Sequence, residues 1–165
     1  MGESNQEISI TYVKGDATNP KSGGLKIIVH ICNDLGKWGK GFVLAINKRW
    51  REPEKVYKDS FSSPPYPELG TVQFINVETG TVVANVIGQH GVRSLRSKTS
   101  PPPIRYEAVK QGLETIARYA EKNNASVHMP RIGCGLAGGK WENIEPIIVD
   151  ALIKRNIRTT VYDFE

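Results

Sequence analysis

The chain has 165 residues, 39% hydrophobic and 24% charged, with a formal net charge of +5. That composition suits one soluble globular domain, able to bury roughly 70% of its unfolded surface. No apolar run reaches membrane-spanning length, so no membrane partner is expected.

The start, Met1-Gly2-Glu3-Ser4-Asn5-Gln6-Glu7, has neither the basic nor the apolar region of a secretory signal, and Gln6 stands where a myristoylation motif needs Ser or Thr. Cys32 and Cys134 form no CxxC pair, which argues against a disulfide framework and for a reducing compartment. A cytoplasmic (or nucleocytoplasmic) monomer is expected. The basic charge attracts polyanions, yet no helix-turn-helix, RNP-like pattern or dense basic run makes nucleic-acid binding the main function.

In chain order, residues 1–7 are expected to be flexible and 8–165 to form one domain. Ile8-Ser-Ile-Thr-Tyr-Val13 alternates like a half-buried strand and runs into a turn, Lys14 to Pro20. Residues 26–32 form a continuous apolar run that suits a central strand covered on both faces. A glycine loop, Asn33-Asp-Leu-Gly-Lys-Trp-Gly-Lys-Gly41, feeds a helix over 42–50. The Pro-rich residues 53–67 read as irregular, with one helical turn around 55–60. Residues 71–77 and 81–87 read as a hairpin, and 88–104 as a long connector. Tyr106, Val109, Leu113, Ile116, Ala117 and Ala120 recur at helical spacing through about 105–122. A strand (125–130), a second glycine loop (131–140), a helix (142–155) and a last strand (158–164) complete an α/β domain with a mixed sheet and helices on both faces.

The second glycine loop carries the chemistry. Gly133, Gly135, Gly138 and Gly139 remove side chains where the backbone turns, so peptide N–H groups can converge on an anion, and the following helix adds free amides and its positive dipole end. The loop is suited to a phosphate or diphosphate. Gly133-Cys-Gly-Leu-Ala-Gly138 matches G-x-G-x-x-G, but the acidic residue a dinucleotide fold places about 20 positions on is missing. A Walker A reading also fails, since Cys134 replaces its first glycine and Trp141 its Ser or Thr.

Four ordered motifs resemble a macrodomain: Lys14-Gly15-Asp16-Ala17 after the first strand, the Val29-His30-Ile31-Cys32 strand with its loop to Gly41, Ile87-Gly88-Gln89-His90, and Met129 through Trp141. The resemblance covers roughly residues 8–164. It is closest to the branch holding the terminal ADP-ribose protein glycohydrolase, a chromatin-remodeller macrodomain and proteins of ADP-ribose-1″-phosphate processing. It implies a three-layer α/β/α fold with about six strands in a mixed sheet and ADP-ribose in a cleft at the strand ends.

In that reading Asp16 accepts from the adenine 6-amino group, the Ala17 amide donates to a ring nitrogen, and Tyr162 or Phe164 stacks on adenine. Arg131, Ile132, Gly133, Cys134, Gly135, Leu136, Ala137 and Gly138 surround the diphosphate. Asn33, Asp34, Gly39 and Gly41 wrap the distal ribose. Plainer roles stand beside these: Asp16 as a turn residue, Tyr162 and Phe164 as core, Trp38 as loop packing. Cys134, flanked by glycines, reads as a small buried residue rather than a nucleophile. His30, His90, His128, Cys32 and Cys134 show no paired ligand spacing, so no metal and no cofactor is expected.

Hydrolysis at the distal ribose C1″ passes through an oxocarbenium-like state and needs an activated water or a nucleophile. In the resembled glycohydrolase a lysine after the hairpin and an aspartate in the 131–140 loop supply this. The corresponding positions here hold Gln89-His90 and Ala137. A lysine adduct is therefore expected only if Lys37 or Lys140 reaches the site from elsewhere; Asn33, Asp34, Gln89 and His90 are the catalytic candidates, with the diphosphate helping to place a water. The expected activity is a mono-ADP-ribosyl hydrolase acting on an acyl-linked adduct of a modified macromolecule (protein, or nucleic acid) or on a related C1″ derivative. A non-catalytic reader and an ADP-ribose-1″-phosphate phosphatase are the alternatives. The 88–104 connector, with Arg93, Arg96 and Lys98, reads either as a lid hinged at Gly88 and Gly91 or as an exposed loop.

Overall fold

A computed structural model describes residues 8–92 and 101–164. The expectations placed on residues 1–7 and on Arg93, Arg96 and Lys98 lie outside the described residues. Six strands form one mixed sheet: β1 (Thr11–Lys14), β2 (Lys26–Asn33), β3 (Val72–Glu78), β4 (Thr81–Gln89), β5 (Ser126–Met129) and β6 (Thr159–Asp163). Their spatial order is β1-β6-β5-β2-β4-β3. Among these six strands the β3–β4 hairpin is antiparallel and the other pairs run parallel. Parallel neighbours need crossovers, and these carry α1 (Phe42–Arg49), α2 (Glu52–Ser60), α3 (Tyr106–Asn123) and α4 (Trp141–Ala151).

The side chains of β2 and β4 are apolar in succession because both faces are covered. On one face Ile27, Val29, Val86 and Met129 pack on Leu113 and Ile116 of α3 and Ile144 and Ile148 of α4. On the other, Ile28, Cys32, Val83 and Ile87 meet Val43 and Ile46 of α1, Trp50, and Tyr57 of α2. The result is the three-layer α/β/α arrangement expected from the sequence. No helix among the described residues is long and apolar enough to cross a membrane.

Two expectations are corrected. Residues 52–60 form a full helix where a single turn was expected. Pro53 sits in the first turn, where its missing N–H costs nothing, and Lys55–Asp59 and Glu54–Lys58 pair one turn apart. The last helix ends at Ala151 rather than 155; a separate 3₁₀ turn (Ile153–Arg155) follows and closes at Asn156 in the left-handed conformation.

Candidate functional site

Because five strands point the same way, the loops after β1, β2, β4 and β5 and the end of β6 gather at one end of the sheet, where open α/β folds hold their ligands. Between the β2 and β5 loops lies a cavity of about 480 Å³, lined by Trp38, Lys40, Gly41 and Phe42 on one side and by Pro130 through Ala137 on the other.

Local geometry exposes donors in the β5 loop. Gly133, Gly135 and Gly138 all adopt positive φ (+75°, +68° and +78°). Gly138 N donates to Gly135 O at 2.9 Å and Gly139 N to Gly133 O at 2.8 Å, which closes the loop on itself. Among the described residues the amides of Ile132, Gly133, Gly135 and Leu136 have no partner. A Cβ on Gly139 would stand 2.2 Å from the Gly133 carbonyl oxygen, so this closure needs glycine there. Gly135 is different: a Cβ there would meet nothing within 4 Å, and its glycine is required by φ alone.

Arg131 braces the loop from outside. Its guanidinium donates to both carboxylate oxygens of Asp163, at 2.6 and 2.9 Å, and lies 5.0 Å from the ring centres of Tyr12 and Trp141. Its side chain is thereby spent on β6, β1 and α4. Cys134 is half-buried, and burial raises its thiol pKa, which leaves it protonated at neutral pH.

In the β2 loop, Asn33 is buried. Its Oδ1 accepts from the Leu35 amide, the Lys37 amide and the Tyr57 hydroxyl, and its Nδ2 donates to Lys37 O. Asn33 therefore shapes the loop. Trp38 packs: it is 8% exposed, donates Nε1–H to Asn47, and sets its ring edge-on to His30 at 5.3 Å. Gly39 and Gly41 carry φ of +82° and +86° and turn the chain into α1. Beneath them His30 sits fully buried with Nε2 2.5 Å from Asn85 Oδ1, and burial lowers its imidazole to about 4.

Elsewhere at this end of the sheet the β2 and β4 ends meet. Asp34 Oδ2 lies 2.7 Å from His90 Nδ1, and its Oδ1 accepts from the Gly91 amide at 2.8 Å. Partial burial pushes the Asp34 carboxyl up, but the Gly91 and His90 bonds outweigh it and hold the carboxyl below its ordinary value. Gln89 donates its amide to Gly91 O and so serves the turn. Of the four catalytic candidates, two are committed to their own loops and two are joined to each other.

At the other side, Asp16 Oδ1 accepts from both the amide and the hydroxyl of Thr18, whose hydroxyl also receives Arg49 Nε. Ala17 is 2% exposed. Asp16 shares a second cavity, of about 430 Å³, with Tyr162 and His128. The Tyr162 hydroxyl is 2.8 Å from His128 Nδ1, which anchors the ring to the sheet, whereas Phe164 is 80% exposed. Sequence reasoning passed over Lys40, Phe42, Tyr57, Arg49 and the His30–Asn85 pair. Lys40 and Phe42 lay inside a quoted motif or beside it, while the others are joined only by long-range contacts.

No known family's sequence profile matches the chain. A solved structure of a macrodomain protein from Streptomyces coelicolor is 50% identical, with a TM-score of 0.79 over 94% of this chain and 99% of that one. The chain belongs to the macrodomain family. A protein of unknown function from Bacteroides thetaiotaomicron is 54% identical, with a TM-score of 0.90 over 94% of this macrodomain and 98% of that chain. The Mus musculus chromodomain-helicase-DNA-binding protein 1-like is 34% identical over 166 residues. That match takes in 94% of this macrodomain but only 18% of the relative's length. An ADP-ribose glycohydrolase from Bos taurus is 27% identical, covering 97% and 95%. An ADP-ribose 1″-phosphate phosphatase from Meyerozyma guilliermondii is 26% identical, covering 84% and 91%.

Proposed function

We propose that this macrodomain binds ADP-ribose and hydrolyses it from a C1″ linkage, first of all a carboxylate-linked mono-ADP-ribosyl adduct on protein. The observation that carries the reading is the closed glycine loop at 131–139, with four amides that have no partner among the described residues, on one wall of a cavity bounded opposite by the N-terminus of α1. Uncharged donors held by the backbone hold a diphosphate without a cation. In this mode Asp16 and the Ala17 amide take the adenine edge, Tyr162 lies beneath the ring, and Gly39 and Gly41 let the β2 loop wrap the distal ribose. Relatives that match nearly this whole chain bear the names of a glycohydrolase and a phosphatase of ADP-ribose derivatives, which supports a hydrolase. Gln89-His90 and Ala137 stand where the resembled glycohydrolase has its lysine and aspartate, so a route without a lysine adduct is implied. The same substitution supports a non-catalytic reader as second reading.

A time course with protein mono-ADP-ribosylated on glutamate separates the readings. Wild type should release free ADP-ribose catalytically, and an Asp16→Ala, Gly135→Val double variant should not. Absence of release together with tight ADP-ribose binding by calorimetry would leave the reader; release of phosphate from ADP-ribose-1″-phosphate alone would leave the phosphatase.

A further inference from the structure

Asp34 and His90 are 56 residues apart in the chain. The parallel pairing of β2 with β4 brings them together: Asn33 stands opposite Gln89, and the Asp34 amide donates to Gln89 O at 3.0 Å. The residue following each strand therefore lands beside the other. His90 is fixed further by its own amide, which donates to Pro103 O at 2.8 Å.

The pair is oriented. The Asp34 side chain is 17% exposed and that of His90 63% exposed, so the carboxylate lies inward and the imidazole outward. Both carboxylate oxygens are engaged, one by Nδ1 and one by the Gly91 amide. An ionised carboxylate only accepts, so the Nδ1 facing it carries the proton and Nε2 presents a lone pair. Carboxylate-held imidazoles act in this way as general bases in hydrolases of unrelated fold.

Resting on the hydrolase reading above, we propose that His90 is the general base of this site and Asp34 its positioning residue. A water oxygen forms the new bond to C1″. The bond from C1″ to the acceptor carboxylate oxygen breaks, and its electron pair leaves with that oxygen. One water proton passes to His90 Nε2 and on to solvent, and the products are ADP-ribose and a free side-chain carboxylate. A departing carboxylate is stable without protonation at neutral pH, so one base and no acid suffices. That accounts for a hydrolase lacking the lysine and aspartate, and it predicts preference for carboxylate-linked over hydroxyl-linked adducts, whose alkoxide leaving group needs an acid.

The test uses the full chain, glutamate-linked mono-ADP-ribosyl protein as substrate and ADP-ribose as binding probe. His90→Ala should lower kcat by about 100-fold or more, with the Kd for ADP-ribose changed less than about threefold, and added imidazole should restore part of kcat. Asp34→Asn should lower kcat similarly without imidazole rescue, because either setting of its amide opposes a donor to His90 or to Gly91. Thermal unfolding of both variants excludes global loss of fold. Wild-type turnover with His90→Ala equally active overturns the dyad and leaves the hydrolase reading intact. Parallel loss of kcat and affinity without imidazole rescue also overturns it, assigning His90 to packing. A wild type that releases nothing overturns both.

Discussion

Lowering the pH from 7 to 5 should destabilise this macrodomain through two imidazoles that are almost wholly buried. His30 lies against Asn85 and Trp38, and His128 against Ser126 and Tyr162; burial lowers each from 6.5 to about 4, with Lys26 adding to the effect at His128. As the pH falls through 6.5 the unfolded chain takes up a proton on each ring, while the folded chain refuses it until about 4. The unfolded state therefore binds more protons in that window, so stability is complete above 6.5, declines as pH falls, and stops declining near 4. At pH 5 the difference amounts to about 2 kcal/mol for each ring, or roughly 4 kcal/mol together, a large part of an ordinary domain's stability. Asp34 and Asp163 have lowered pKa values and act only below the ordinary carboxylate range, so they do not mask the effect. Urea unfolding followed by tryptophan fluorescence at pH 7, 6 and 5 measures it. His128→Gln removes one titrating ring and should lose about half of the pH dependence. A wild type equally stable at pH 7 and 5, or a variant with undiminished slope, would refute the argument.

Gly139→Ala should open the β5 loop, since its methyl would stand 2.2 Å from the Gly133 oxygen. A stability loss of about 1–3 kcal/mol with ADP-ribose binding abolished is expected by thermal unfolding and calorimetry; unchanged affinity would remove this loop from the site. In Gly135→Val the added Cβ meets no atom within 4 Å, but the residue must hold φ at +68°, costing about 1–2 kcal/mol. It should remain folded and lose ADP-ribose, and retained binding would show the diphosphate lies elsewhere. Tyr57→Phe deletes the hydroxyl that donates at 2.7 Å to Asn33 and should cost about 1–2 kcal/mol in urea titrations. Asp16→Ala should weaken ADP-ribose about tenfold by calorimetry, within the range of one buried hydrogen bond; wild-type affinity in that variant would return Asp16 to a turn residue only.

The parts of this fold that are local in sequence were legible in it. The glycine loops, the β3–β4 hairpin and the 3.6-residue rhythm of α3 each announce themselves within twenty residues or fewer, because turn chemistry and amphipathicity act at short range. The helix at 52–60 was obscured by Pro53, which reads as a breaker until its place in the first turn is known. Pairings made by the sheet were not legible. Asn33 looked like a candidate for the ribose until Tyr57 and its own loop were found to occupy its carbonyl. His30 and Asn85 are separate polar letters in apolar strands, and only the β2–β4 register sets them face to face. The union of Asp34 with His90 depends on that register too, so residue type suggested both side chains but gave no sign of their bond.

The edge of the sheet has a consequence for how the protein is made. β1 has a single neighbour, β6, and the register sets Val13 against Tyr162. Asp16 follows the first strand of this domain and Tyr162 sits in its sixth, so the cavity they share is finished only when synthesis has passed both. Until then a nascent chain holds the glycine loop of residues 131–139 in its sequence without the strand that Arg131 grips through Asp163. A chain clipped before Thr159 therefore loses the partner of β1, the brace of the loop and Tyr162 in one cut.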